Sequence, residues 1–179
     1  MQVSSSEVRA EFERWLATEC HAGARLVVLE GLSYSGKSYL IGEPFILGAR
    51  RSINIETDEF LRRPVQTMTA YRDAIDLSAL KATAEKSLGS SPLVVIQGVI
   101  GWPLVQSVAS AVGLDRVRRV YLKRMRYLNP DIWMDESVLF NNESWSPNEF
   151  SRSILRYHAE QRPWRDCDLV LKRVVTEQE

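Results

Sequence analysis

The sequence predicts an α/β protein, a three-layer sandwich built on a parallel five-stranded sheet. Three observations carry this expectation. Short apolar runs without polar alternation recur along the chain, as strands buried on both faces require. Segments with apolar residues at helical spacing lie between them, and such alternation places helices on both faces of a parallel sheet. No repeat, low-complexity tract or Gly/Ser linker divides the 179 residues, a length that fits one domain spanning 1–179.

The first element is a helix. Ser4 and Glu7 have capping-box spacing, and Val8, Phe12, Trp15 and Leu16 fall on one face. Its end is expected before His21-Ala22-Gly23. The buried strands are expected at 25–30, 52–56, 93–97, 117–122 and 168–171. Asp76 opens a helix carrying Leu80, Ala84 and Leu88 on one face, with Gly89 as its stop. Helices are also expected over 103–112 and over 147–157, the latter aligning Phe150, Ile154 and Tyr157.

Composition narrows the function classes. Hydrophobic residues are 45% of the chain and charged residues 26%, which excludes disorder. Twenty-three basic residues balance 23 acidic ones, so the electrostatic footprint of a nucleic-acid-coating protein is missing. Cys20, Cys167, His21 and His158 complete the soft-ligand inventory, too few for a disulfide scaffold or a Cys/His zinc centre. No apolar run reaches about 18 residues, and MQVSSSEVRA lacks a signal pattern. The expectation is a soluble cytoplasmic protein without nucleic-acid or membrane partners. Self-association into a homo-oligomer stays open.

The chemistry is carried by Gly31-Leu32-Ser33-Tyr34-Ser35-Gly36-Lys37-Ser38, a complete G-x-x-x-x-G-K-[ST] loop between a buried strand and a helical segment. Glycines let the backbone curl so that successive N–H groups form an anion nest, and the following helix adds its positive end. Lys37 reaches the β- and γ-phosphates, and Ser38 holds Mg²⁺. Gly31, Ser33, Tyr34, Ser35, Gly36, Lys37, Ser38 and Tyr39 are therefore the expected contacts of a nucleoside triphosphate, with ATP the expected donor. An N-K-x-D guanine signature is missing from the sequence, which argues against the common GTPases. Gly42 and Pro44 follow closely, so the helix after the loop is expected to be short or kinked.

Further segments give the loop a context. Glu56-Thr57-Asp58-Glu59-Phe60 follows the second strand; Tyr71-Arg72-Asp73-Ala74-Ile75-Asp76 precedes a Leu-rich helix; Leu93 to Ile100 reads LVVIQGVI; Tyr157-His158, Pro163 and Asp168-Leu169-Val170 come near the end. Taken in order across 25–172, these resemble the uridine kinase-like branch of the phosphate-loop kinases, which includes phosphoribulokinase and nicotinamide riboside kinase. They are similar to its D-[DS]-F, H-P-D-A-F-D, V-V-I-x-E-G-I-L and Y-x5-P-x3-A-D-L-V segments. The resemblance implies a nucleoside/nucleotide kinase-like fold and ATP- and Mg²⁺-dependent transfer to a hydroxyl of a nucleoside, sugar or related small acceptor. Asp58 then matches the catalytic aspartate and a ligand near Mg²⁺. The sequence departs from the family at two points. Gln97 stands where the family has Glu, and Ala70 where an aspartate grips a ribose hydroxyl.

Each candidate has a plainer alternative. A carboxylate after the second strand can take the acceptor proton, but Asp58 also suits a solvated turn, and Glu56 and Glu59 are rivals. Lys123, Arg124 and Arg126 follow the fourth strand, where cations can close over a transferring phosphoryl group; a solvated basic face is the alternative for them. Arg124 and Arg126 are counted with Lys37 and Asp58 as candidate catalytic residues. The segment 123–145, with Trp133 and Trp145, is expected to form a lid, being long for a connection in a compact domain. Arg62, Arg63, Tyr71 and Asp73 are the candidate acceptor contacts. His158 reads as a packed histidine or as a stacking partner of the base. Loss of acid at Gln97 and Ala70 leaves open a second class, a nucleotide-binding regulatory or assembly module with little turnover. A water-directed NTPase is a third.

Overall fold

The computed structural model describes residues 5–47, 50–62, 69–129, 132–135 and 148–175. The chain runs α1 (Ser5–His21), β1 (Leu26–Glu30), α2 (Lys37–Ile41), β2 (Ile46–Leu47), β3 (Arg50–Arg51), β4 (Ile53–Glu56), α3 (Tyr71–Ala74), α4 (Leu77–Ser90), β5 (Val94–Gly98), α5 (Trp102–Val112), β6 (Val117–Asn129), β7 (Ile132–Asp135), α6 (Glu149–Gln161) and β8 (Leu169–Val175). Five strands pair in parallel in the order β4-β5-β1-β6-β8. This is the expected three-layer sandwich, and β1 lies at its centre because all five of its residues are buried.

Side-chain alternation divides the core into two halves. Val27, Leu29, Val120, Leu122 and Leu171 pack against Val8, Phe12 and Leu16 of α1 and Leu40 and Ile41 of α2. Leu26, Val28, Val94 and Ile96 point the other way, against Leu80 and Ala84 of α4, Val105 and Val108 of α5 and Ile154 of α6. Side-chain caps set two helix starts: Asp76 accepts from the Ala79 N–H, and Asn148 accepts from the Ser151 N–H. No helix among the described residues is long and apolar enough to cross a membrane.

The helix after the phosphate loop is five residues long, as Gly42 and Pro44 led us to expect. Elsewhere the boundaries moved. The helix expected to stop at Gly89 runs to Ser90, because the turn is made by Ser91, whose hydroxyl bonds the Arg51 and Leu93 carbonyls. The last strand extends four residues past its expected end at Leu171, to Val175.

The largest correction concerns β6. Lys123, Arg124 and Arg126 do not follow the strand; they lie within it, paired to Lys172, Arg173 and Val175 of β8. Charged side chains hide the strand pattern, but pairing to β8 maintains it. β6 then turns back into the antiparallel β7, Met125 opposite Asp135 and Tyr127 opposite Trp133. Met125 and Arg126 pair with β7 and β8 at once, so β7 must occupy the edge of β6 that β1 uses lower down. The hairpin therefore extends beyond the end of β1, on the side of the sheet from which the phosphate loop emerges. The first part of the expected lid is thus a sheet hairpin, while 136–145, with Trp145, lies outside the described residues.

Candidate active site

The phosphate loop leaves the C-terminal end of β1, where open α/β sheets place their ligands. Gly36 adopts φ +99° and Tyr34 φ +62°, and these two left-handed residues turn the backbone inward. Lys37 is buried, and its Nζ donates to the Gly31 carbonyl at 2.7 Å and the Leu32 carbonyl at 2.8 Å, with the Ser35 Oγ at 3.5 Å. The amine is thus held inside the curve of the loop by its own carbonyls.

The root of the loop is fixed from the other face of the sheet. Glu30, fully buried at the end of β1, accepts at Oε1 from the Tyr157 hydroxyl (2.7 Å) and the Gly101 N–H (3.0 Å). Its Oε2 lies 3.8 Å from Arg119, whose guanidinium stacks on Trp102 at 4.8 Å. Burial and the neighbouring Glu30 charge push the Tyr157 phenol well above its ordinary range, so it stays protonated and donates. Nearby, burial pushes the Cys167 thiol up to about 12, which leaves it an unreactive packing residue.

A cavity of about 600 Å³ crosses the loop. Ser33, Tyr34, Gly36, Lys37, Ser38 and Tyr39 line its centre. On one flank stand Glu56, Thr57 and Asp58 after β4, with Gln97, Gly98 and Val99 from the end of β5; on the other stands Arg173 of β8. The cavity is polarised: Glu56 and Asp58 sit on the β4 side, Lys37 and Arg173 on the loop and β8 side. Asp58 lies on a turn over Thr57–Phe60 and accepts from the Tyr71 hydroxyl at 2.5 Å.

Gln97 reaches the Ser38 hydroxyl, its Nε2 donating to Ser38 Oγ at 3.3 Å. It is 3% exposed, and its Oε1 has no hydrogen-bond partner among the described residues. A buried amide oxygen in that condition is costly unless something else engages it. Ser38, Gln97 and Asp58 are all oxygen donors of the kind a hard divalent cation takes, so the residues fit Mg²⁺ carried on a triphosphate.

The expected site residues separate into groups. Ser33, Tyr34, Gly36, Lys37, Ser38, Tyr39 and Asp58 line one cavity, while Ser35 is buried in the loop beneath them. Tyr71 is buried behind Asp58 and does not line the cavity. Arg62 and Asp73 are exposed outside it, and Arg63 lies outside the described residues. Arg124 is the β6 partner of Arg173 and shares its strand face, that of Leu122 and Leu171, yet does not line the cavity. His158 is fully buried, not a base contact; its Nε2 donates to the Val99 carbonyl at 2.7 Å.

Arg173 escaped the sequence reading. It bonds the Ser35 carbonyl at 3.4 Å, and its guanidinium lies 3.0 Å from where a Gly36 Cβ would stand. The available signal was the period of two through Leu169 and Leu171, which carries the strand face on to residue 173.

Fold and loop together define a three-layer α/β sandwich on a parallel five-stranded sheet, with a G-x-x-x-x-G-K-[ST] loop after its central strand. Compared with solved structures, the chain is similar to a possible uridine kinase from Bacillus stearothermophilus, at 14% identity and a TM-score of 0.51, over 90% of this chain and 98% of that one. That likeness is one of fold. No protein-family model and no curated protein matches the sequence.

Proposed function

We propose that this protein is an ATP- and Mg²⁺-dependent small-molecule kinase, transferring the γ-phosphoryl group to a hydroxyl of a nucleoside, sugar or related metabolite. The observation that carries the reading is that Asp58 and the Lys37 loop line one cavity. A phosphate loop alone binds a nucleotide; a carboxylate facing it gives an acceptor hydroxyl somewhere to lose its proton.

In this reading the loop N–H groups and the start of α2 cradle the donor phosphates. Lys37 exchanges the Gly31 and Leu32 carbonyls for phosphate oxygens. Arg173, across the loop from Asp58, faces the nucleoside end of the donor if the γ-phosphate points to Asp58, with Arg124 beside it on the same strand face. The acceptor oxygen bonds to the γ-phosphorus, the bond to the β–γ bridging oxygen breaks, and ADP departs. Asp58 takes the hydroxyl proton. Ser38, with Gln97 and Asp58 also lining the cavity, would hold Mg²⁺, which would supply neutralisation of the phosphate charge.

Gln97 gives the second reading its one specific support. An amide pulls less strongly on a metal ion than a carboxylate, which suits a nucleotide-binding module with little turnover. The test is ATP consumption with Mg²⁺ across a panel of nucleosides, sugars and other hydroxyl-bearing small molecules. Consumption only with an acceptor, and its phosphorylated product, supports the kinase. Nucleotide binding without consumption supports the module, and equal consumption without any acceptor supports an NTPase.

A further inference from the structure

Asp58 sits on an exposed turn, where a carboxylate ordinarily turns freely about its side-chain bonds. Here it is anchored from behind. The Tyr71 hydroxyl reaches Asp58 Oδ1 at 2.5 Å and the Thr57 Oγ1 at 2.8 Å. Tyr71 is 1% exposed and Thr57 fully buried. Burial, reinforced by the charge of Asp58, raises the Tyr71 phenol far above its ordinary range. It therefore carries its proton at any working pH and donates it to Asp58, while Thr57 donates to Tyr71 in turn.

Both ends of this relay are braced. Gly98, at the end of β5, leaves room for Thr57: a Cβ there would come within 2.3 Å of its Oγ1. The Tyr71 ring packs against Phe150 at 5.2 Å between centroids, and its backbone N–H donates to the Ser153 Oγ at 2.9 Å, both residues of α6. No hydrogen bond from the described residues reaches Asp58 Oδ2, on the same carboxylate that lines the cavity.

We propose that Tyr71 is a positioning residue, not an acceptor contact: with Thr57 behind it, it engages Oδ1 of Asp58 and presents Oδ2 to the acceptor hydroxyl. This rests on the kinase reading of Asp58 above. Hydrogen bonds to charged groups are the strong class, and losing one that acts only in the chemical step lowers kcat without raising KM.

The test is a double-mutant cycle of wild type, Tyr71→Phe, Asp58→Asn and the double variant. ATP turnover with Mg²⁺ is followed with uridine as the probe acceptor and with water alone. Tyr71→Phe keeps the ring against Phe150, so it should melt near wild type, lose about 10- to 100-fold in kcat and leave the KM for ATP within about twofold. In the Asp58→Asn background the same change should cost nothing further. Equal losses in both backgrounds, or none in either, overturn the proposal while leaving Asp58 as the base. An unimpaired Asp58→Asn overturns the base assignment and the proposal with it. Thr57→Val, which spares the Tyr71 bond but removes its support, should give a smaller kcat loss and carries the cycle if Tyr71→Phe does not fold. Independently of any acceptor, a slowly exchanging hydroxyl proton should appear by NMR in wild type, vanish in Tyr71→Phe, and move upfield in Asp58→Asn, where a neutral amide oxygen is the weaker acceptor. Its persistence in Tyr71→Phe, or an unchanged position in Asp58→Asn, also overturns the proposal.

Discussion

His158 has its Nε2–H on the Val99 carbonyl at 2.7 Å and its Nδ1 against the Tyr121 hydroxyl at 3.1 Å. A carbonyl only accepts, so the ring is the Nε2–H tautomer and Nδ1 accepts from Tyr121. Adding a proton at Nδ1 would put a charge in a buried site and force the Tyr121 hydroxyl to turn its own proton away and accept instead. Burial holds the ring at about 4 against an ordinary 6.5, more than the Val99 bond offsets, and Lys37 adds to the lowering. Because the folded value lies below the unfolded one, the unfolded chain takes up the proton first. The stabilisation is therefore complete above about pH 6.5 and is lost as pH falls towards 4. At ~1.4 kcal/mol for each tenfold change in proton affinity, this interval amounts to about 3 kcal/mol. Urea unfolding of wild type and His158→Gln at several pH values from 7 to about 4 isolates the contribution, since other titrating groups are common to both proteins. The stability curve of the variant should be flatter by about 3 kcal/mol over that window. Parallel curves would refute the reasoning.

Lys37→Ala should weaken ATP binding by about two orders of magnitude, as removal of a phosphate-bound cation does, with the circular dichroism spectrum unchanged; calorimetric titration checks it. Asp58→Asn should lower kcat about 10²- to 10⁴-fold and leave ATP affinity nearly constant; transfer of that loss to Glu56→Gln or Glu59→Gln would reassign the base. Gln97→Glu adds charge beside Ser38, so with ATP present it should lower the Mg²⁺ concentration needed for half-maximal thermal stabilisation, by about tenfold. Without Mg²⁺ the same variant should melt below wild type, because the new carboxylate would be buried.

The parts of this molecule that sequence disclosed are those where one rule dominates. Residues 26–29 are flanked by strands on both sides and covered on both faces, so they are apolar throughout, and the pattern is unmistakable until Glu30, whose carboxylate is buried on hydrogen bonds from Tyr157 and Gly101. The loop at 31–38 is legible because its motif fixes residue types at set spacing. Gly42 and Pro44 announced the shortness of α2 through backbone chemistry alone. Where two demands compete the pattern blurs. Lys123 lies over the Trp164 ring at 5.3 Å, and Arg124 shares a strand face with Arg173. Their charges look like the end of a strand, though hydrogen bonding to β8 carries the strand through.

The partners of the site were less legible, and for a different reason. Asp58 and Tyr71 are 13 residues apart in sequence, Ser38 and Gln97 59 apart, and Ser35 and Arg173 138 apart. Those meetings are made by sheet order, not by spacing. β4 and β8 are the outer parallel strands and β1 lies between them, so Glu56 to Asp58 at the end of β4 and Arg173 late in β8 flank the phosphate loop on different sides. Once the order β4-β5-β1-β6-β8 is known, the polarity of the cavity follows from it. Acids that can take a proton stand on the β4 flank, and a cation that can bind an anionic donor stands on the β8 flank. A triphosphate lying along the loop between Arg173 and Asp58 then has one orientation in which its transferable phosphate meets a base. The converse orientation would put that phosphate beside Arg173, with no carboxylate among the lining residues of that flank to take the acceptor's proton.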